Sequence, residues 1–181
     1  MKKFNIIYAD PPWKYRVYNI SDSKHGAATS HYPTMSLDDI KALPVKDLAA
    51  DNCALFLWVT PPCLREGLEV MDAWGFRYVT KAFTWVKLNK DGTPFLGLGH
   101  YTRGNPEDCL LGMRGRLPRK DNSVPQLIMA PRQEHSRKPD EARVRIERLF
   151  GPLPRVELFA RQAVPGWDRW GNEVDSTVEV I

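Results

Sequence analysis

Cysteine is scarce in this chain, with three in 181 residues. Cys53, Cys63 and Cys109 form neither an even set nor a patterned one, so neither a disulfide framework nor a secreted setting is indicated. Together with the four histidines they show no zinc spacing, so no metal is expected and the cysteines read as buried structural thiols. No apolar run approaches the ~20 residues that span a bilayer. The start, Met1 to Asp10, is too short and too soon acidic for a signal peptide, so a cytoplasmic protein is expected. There is no internal repeat, no low-complexity linker, no Gly-x-Ser-x-Gly elbow and no phosphate loop, since Gly97-Leu98-Gly99 is too slight to serve as one. Charge of one sign is also in short supply. Lys+Arg 26 against Asp+Glu 22 leaves +4, which permits a polyanionic partner without requiring one.

What is present is the composition of a globular protein, 43% hydrophobic and 27% charged, in a chain of one domain's length, 1–181. Six tryptophans and fifteen prolines are unusual and suggest shaped loops between short elements. Phe4 to Ala9 reads as a buried strand, stopped by Asp10-Pro11-Pro12-Trp13 because two prolines cannot continue a ladder. Residues 14–35 lack any period and read as a long functional loop. Ser36 is placed to cap a helix that ends before Pro44. Cys53 to Thr60 is the strongest strand. Leu64, Leu68, Met71 and Trp74 follow helical spacing up to Gly75. Strands are expected over 76–87, 107–113, 126–129 and 155–160, separated by loops at 88–104 and 114–123. Pro139 is expected to open a helix that runs to about Phe150. Alternating strands and helices predict an α/β fold with a largely parallel sheet, in which ligands bind beyond the carboxyl ends of the strands.

The Asp-Pro-Pro-Trp turn lies at such an end. Asp10 is a carboxylate that only accepts hydrogen bonds, and Pro11 and Pro12 offer carbonyls without N–H donors on a backbone of fixed φ. Trp13 adds a flat ring for stacking. A rigid, acceptor-only turn beside an aromatic plane suits an exocyclic amino group on a planar base. The lone pair of such a nitrogen is delocalised into the ring. The Asp10 carboxylate and Pro11 carbonyl could hold its two hydrogens and aim the lone pair at an electrophile. A base held this way must have left its duplex.

The chain resembles the MT-A70 family of adenine amino-methyltransferases, which includes the eukaryotic messenger-RNA adenosine methyltransferase catalytic subunit. The resemblance runs nearly end to end. It rests on Tyr8-Ala9-Asp10-Pro11-Pro12-Trp13, His31-Tyr32-Pro33-Thr34-Met35, Leu55-Phe56-Leu57-Trp58-Val59-Thr60, Trp74-Gly75-Phe76 and Trp85-Val86-Lys87. It continues through Arg103, Glu107 and Leu110-Leu111-Gly112, then His135 to Glu141, Glu157-Leu158-Phe159-Ala160-Arg161 and Trp170-Gly171-Asn172-Glu173. It implies a Rossmann-like methyltransferase fold in permuted order, catalytic motif first, with S-adenosylmethionine as cofactor. Asp10, Pro11, Pro12 and Trp13 carry over as catalytic or base-binding residues. Asp10, Phe159, Arg161, Asn172 and Glu173 carry over to the cofactor pocket, where a carboxylate such as Glu173 can accept both ribose hydroxyl hydrogens. Lys138 is a candidate for the cofactor's carboxylate. So is Arg103, because the eukaryotic subunit has a lysine where Pro106 stands here.

The resemblance further implies methyl transfer to the amino nitrogen of adenine in a nucleic acid, with DNA favoured for a small stand-alone member. The alternatives are methylation of RNA adenine, methylation of the cytosine amino group, and a non-catalytic nucleic-acid-binding subunit. Lys14, Tyr15, Arg16 and Tyr18 mix charge with aromatic rings as a flap over a flipped base would. The basic run holding Arg114, Arg116, Arg119 and Lys120 is a candidate phosphate track. A second copy of the chain is a candidate partner for gripping a duplex.

Overall fold

The computed structural model describes residues 2–14, 34–134 and 137–180. The first strand, β1 (Phe4–Ala9), alternates hardly at all and is buried on nearly every residue. That is the signature of a strand covered on both faces. Its neighbours are β2 (Ala49–Val59) and β6 (Arg155–Leu158), both parallel to it. With β3 (Arg77–Leu88), β4 (Glu107–Arg114), β5 (Leu127–Pro131) and β7 (Asp168–Trp170), they form a seven-stranded sheet in the order β5-β3-β4-β2-β1-β6-β7. Only β4 runs against the others, being antiparallel to both β2 and β3. The sheet is therefore largely parallel, as the alternation of elements predicts. The reversal of β4 has a consequence for chemistry: its first residue, Glu107, lies at the edge where the other strands end.

Among the described residues, four α-helices join the strands: α1 (Leu37–Ala42), α2 (Val45–Leu48), α3 (Leu64–Ala73) and α4 (Glu141–Phe150). Ser36 caps α1, its Oγ accepting from the Asp39 N–H at 3.1 Å, and the helix ends before Pro44 as expected. Gly75 (φ +80°) and Gly151 (φ +79°) take the left-handed turns that follow α3 and α4. Two apolar clusters fill the two faces of the sheet. One gathers Ile7, Leu55, Leu57, Met71, Trp74 and Leu158 beneath α1 and α3. The other gathers Tyr8, Phe56, Trp58, Phe83, Ile146 and Phe150 beneath α4.

Several boundaries differ from the sequence reading. Strand β2 begins at Ala49, because α2 ends directly into it. Leu64 is 45% exposed, so the buried face of α3 is Gly67, Val70 and Met71. Pro139 stands two residues before α4 and accepts from the Ala142 N–H instead of occupying the first helical position. Strand β7 has only three half-buried residues and no apolar run to betray it. Cys53, Cys63 and Cys109 are buried free thiols, and burial pushes Cys53 up to about 12. Among the described residues, no helix is long and apolar enough to cross a membrane.

Candidate active site

Adjacent strands β1, β6 and β7 end side by side, and each delivers part of the site from its carboxyl end. Strand β1 leads into Asp10, β6 into Phe159, Ala160 and Arg161, and β7 into Gly171, Asn172 and Glu173. A cleft of about 290 Å³ is lined by Asp10, Pro12, Phe159, Arg161, Asn172 and Glu173, among others. A smaller cavity opens beside it, and Asp10, Phe159 and Arg161 line both. The smaller one adds Tyr8, Lys138, Arg143 and Glu157.

The walls of the cleft are shaped by backbone. Phe159 sits at φ +60°, which a side chain rarely adopts, and this bend turns the chain out of β6. Its ring meets Trp170 edge-on at 5.3 Å. The Ala160 N–H donates to the Trp170 carbonyl at 2.9 Å. At Gly171 a Cβ would stand 2.1 Å from the Ala160 carbonyl oxygen and 2.8 Å from its nitrogen, so only glycine allows this approach. The result is an aromatic floor with an amide (Asn172) and a carboxylate (Glu173) at its rim. That donor set fits a nucleoside: a flat ring against Phe159 and vicinal hydroxyls toward Glu173.

The turn itself is fixed from behind. Trp13 is 8% exposed, and its indole N–H donates to the Trp58 carbonyl at 2.9 Å. The expectation that Trp13 offers an open stacking plane is therefore corrected. Its ring belongs to the core and anchors the turn there. The Pro11 carbonyl accepts from the Trp13 N–H at 2.9 Å, and the Pro12 carbonyl accepts from Met35 at 3.2 Å. A carbonyl has a second lone pair, so Pro11 keeps capacity for one further donor.

Behind Asp10 lies a chain of buried charges in which Lys138 is joined by Glu107 and Lys87, to which the sequence reading gave no role. Lys138 Nζ stands 2.9 Å from Asp10 Oδ2 and 3.0 Å from Glu107 Oε2. Lys87 closes on the other Glu107 oxygen at 2.5 Å. Trp58 and Trp85 face the two ammonium groups at 5.7 and 5.3 Å from their ring centroids. Burial raises Asp10, Lys138 pulls it back, and Glu107 raises it further. For Glu107 the two lysines overcome burial, and its carboxyl is held below the usual range. Lys138, between two carboxylates, is raised despite burial. In the lining of the smaller cavity, Arg143 donates to both Glu157 oxygens at 3.1 Å, yet burial still lifts Glu157 to about 7. Trp58 donates to the Tyr8 hydroxyl at 2.8 Å, and burial holds that phenol well above its usual range. Lys87 reaches this edge from the carboxyl end of β3, whereas only the reversal of β4 brings Glu107 there.

Of the expected cofactor residues, the structure brings together Asp10, Lys138, Phe159, Arg161, Asn172 and Glu173. Arg103 lines neither cavity. Its guanidinium donates to the Gly97 and Leu96 carbonyls at 2.8 and 3.2 Å, within its own loop. Lys14 is exposed directly after the turn. Tyr15, Arg16, Tyr18, His31, Tyr32, Pro33, His135 and Ser136 lie outside the described residues. The basic run, a candidate phosphate track, is placed away from the turn. Arg114 ends β4 opposite Cys53, at the far edge of the sheet, roughly 24 Å of strand from Glu107. Arg114 there donates to the Lys46 carbonyl, Arg116 N–H to Asn52, and Lys120 N–H to the Leu149 carbonyl. Arg119, in the same run, goes with them.

An acceptor-only turn and a nucleoside-shaped cleft at the carboxyl edge of a mostly parallel sheet define an α/β enzyme of the Rossmann-like methyltransferase type. The family model described as MT-A70 matches residues 4–173. The chain is 35% identical over 196 residues to the Type II methyltransferase M.MunI of Mycoplasma sp, covering 99% of this chain and 82% of that one. It is 32% identical over 180 residues to the N(6)-adenosine-methyltransferase MT-A70-like protein of Arabidopsis thaliana, covering 95% of this chain and 24% of that protein. The N(6)-adenosine-methyltransferase catalytic subunit METTL3 of Homo sapiens is 31% identical over 182 residues, with 96% and 28% covered. The chain thus spans most of the first relative and about a quarter of the other two. The protein belongs to the MT-A70 family.

Proposed function

We propose that this protein transfers a methyl group from S-adenosylmethionine to the exocyclic amino nitrogen of adenine in DNA. The observation that carries the reading is Asp10, which lines both the nucleoside-shaped cleft and the cavity behind the turn. When bound, S-adenosylmethionine supplies an electrophilic methyl group on a sulfonium centre. Asn172 and Glu173 would hold its ribose hydroxyls, Phe159 its base, and Lys138 and Arg161 its carboxylate. Asp10 and the Pro11 carbonyl take the two amino hydrogens of the target base and turn the nitrogen lone pair toward the cleft. Lys138 favours the ionised, accepting form of Asp10. Transfer leaves the nitrogen with one proton too many, and the Asp10 carboxylate, its proton affinity raised by burial, is the group placed to receive it.

DNA is favoured because a relative matched over most of both chains is a Type II methyltransferase, whereas the adenosine methyltransferases compared above are covered over about a quarter of their length. Lys14, exposed directly after the turn, is a candidate for contact with a phosphate flanking the target. In an assay of methyl-labelled S-adenosylmethionine with DNA, Asp10→Ala should lose turnover while binding the cofactor within a few-fold of the unaltered protein. Full activity in that variant would overturn the assignment.

A further inference from the structure

The edge of the sheet opposite Asp10 carries a row of cations. Strands β3, β4, β2 and β1 lie side by side, and each brings one there. Arg77 is the first residue of β3, Arg114 is the last of β4, Lys46 lies on α2 just before β2, and Lys3 directly precedes β1. At ~4.8 Å between neighbouring strands the row is about 14 Å long. Backbone holds it in place. The Arg114 guanidinium donates to the Lys46 carbonyl at 2.8 Å, and the Lys3 ammonium donates to the Asp47 carbonyl at 2.6 Å. Beyond Arg114 the chain turns at Gly115 (φ +62°), where a Cβ would stand 2.2 Å from the Asp51 carbonyl oxygen. The Arg116 N–H then donates to Asn52 Oδ1 at 2.7 Å. Arg119 and Lys120 continue toward the end of α4, where the Lys120 N–H reaches the Leu149 carbonyl at 2.7 Å.

Charge on this edge is out of balance. Six of these seven cations are exposed, Arg114 being half-buried, and among the described residues none of them is in an ion pair. The acids interspersed with them are Asp47, Asp51 and Asp72. The local excess of four equals the net charge of the whole chain, +4. Like charges gathered without counter-charges repel one another, a cost to folding that an anionic partner offsets. The side chains between them are polar, with the Asn5 amide bonded to the Asn52 carbonyl at 2.9 Å, whereas a protein interface has an apolar centre. A nucleic-acid duplex needs no such centre. Each of its strands presents a phosphate every ~3.4 Å along the axis, so a row of about 14 Å meets roughly four of them.

Distance from Asp10 decides how a duplex uses this edge. Strand β4 places roughly 24 Å between Arg114 and Glu107, which is joined to Asp10 through Lys138. DNA whose adenine lies at Asp10 would have to fold back over that distance to reach the row, and a persistence length of ~150 bp opposes so tight a return. We propose that this edge is a second DNA-binding surface, which holds the phosphates of another duplex segment while the target adenine lies at Asp10. That adenine is the substrate of the function proposed above, on which this inference rests. The contacts go to phosphates and carry no sequence information, so they keep the protein on a long DNA while the active edge meets successive sites.

The test combines Arg77→Gln, Arg116→Gln and Arg119→Gln in one variant, and the same three positions changed to lysine in another. All three side chains are exposed, so both variants should melt with the unaltered protein. Each protein is loaded onto a short duplex fixed to beads, cut from DNA that the unaltered protein methylates, and is then offered a second, fluorescent duplex. The unaltered protein and the lysine variant should retain the second duplex. The glutamine variant should retain it about tenfold less or weaker, and its log affinity against log salt should be shallower by about 2–3, the loss of three phosphate contacts. All three proteins should methylate the short duplex at rates within twofold of one another. Equal retention by the glutamine variant, or no retention by the unaltered protein, overturns the proposal alone. So does retention by a sedimenting dimer only, which would mean two copies each holding one duplex, and so does RNA retained in place of the second duplex. An unaltered protein that retains the second duplex yet methylates no DNA upholds the second surface and overturns the methyl-transfer reading.

Discussion

Replacing Lys138 with methionine keeps the side chain's length and removes one charge from the Asp10–Lys138–Glu107–Lys87 chain. Lys138 is 8% exposed, and the two carboxylates it joins are 19% and 10% exposed, so little water is available to take its place. Removing one partner from a buried ion pair costs about 3–5 kcal/mol, a large part of the 5–15 kcal/mol that holds a typical domain folded. The two carboxylates are affected unequally. Glu107 keeps Lys87 at 2.5 Å. Asp10 loses the strongest influence holding its proton affinity down and keeps only the weaker pull of Arg161. Asp10 therefore takes up a proton more readily in the folded variant than in the unfolded chain. A carboxyl whose folded affinity is raised stabilises below its unfolded value and loses that contribution as pH rises through the folded value. The deficit of Lys138→Met should accordingly be smallest at acid pH, where Asp10 is protonated, and grow as pH rises. A protonated Asp10 also accepts fewer hydrogens, so turnover should fall about 10²–10³-fold, the scale of losing one preorganised electrostatic contact. Urea unfolding across a pH series and initial rates of methyl transfer measure both effects. A stability deficit that is unchanged with pH, or that shrinks as pH rises, would refute the account of the charge chain.

Glu157, lifted from 4.5 to about 7, should make the folded state less stable as pH rises across that interval, by an amount on the order of 3 kcal/mol at 1.36 kcal/mol per unit. Glu157→Gln should remove this slope, and the difference between the unfolding free energies of the two proteins, followed from pH 4.5 to 8, checks it. Gly171→Ala places a methyl against the Ala160 backbone at 2.1 Å. It should destabilise by about 1–3 kcal/mol and weaken cofactor binding, since the carbonyl cannot yield without moving the cleft wall; denaturation and calorimetry report the two losses. Asn172→Ala should weaken cofactor affinity about tenfold, as expected for one lost hydrogen bond of about 1.5 kcal/mol, and leave the fold intact; unchanged affinity by calorimetry would refute its place in the pocket.

The parts of the fold that declared themselves in sequence are those where a local rule decides the outcome. Strand β1 ends where two prolines begin, Ser36 caps α1, and Gly75 and Gly151 follow the two long helices. Asp10, Phe159, Arg161, Asn172 and Glu173 could be assembled from a family resemblance, because each belongs to a contiguous motif. What stayed hidden depends on pairing across the sheet. The reversal of β4 carries Glu107 to the active edge and Arg114 away from it, and nothing within 107–114 records direction. Trp13 reads equally well as a stacking plane or an anchor until its indole N–H is seen bonded to the Trp58 carbonyl. Strand β7 has three residues and forms because β6 offers an open edge.

The most direct measurement of the central claim is mass spectrometry of nucleosides from DNA and from RNA, each incubated separately with the purified protein and methyl-labelled S-adenosylmethionine. The account predicts label in N(6)-methyladenine from DNA, absent with Asp10→Ala. Label confined to RNA, or carried by methylated cytosine, would contradict it.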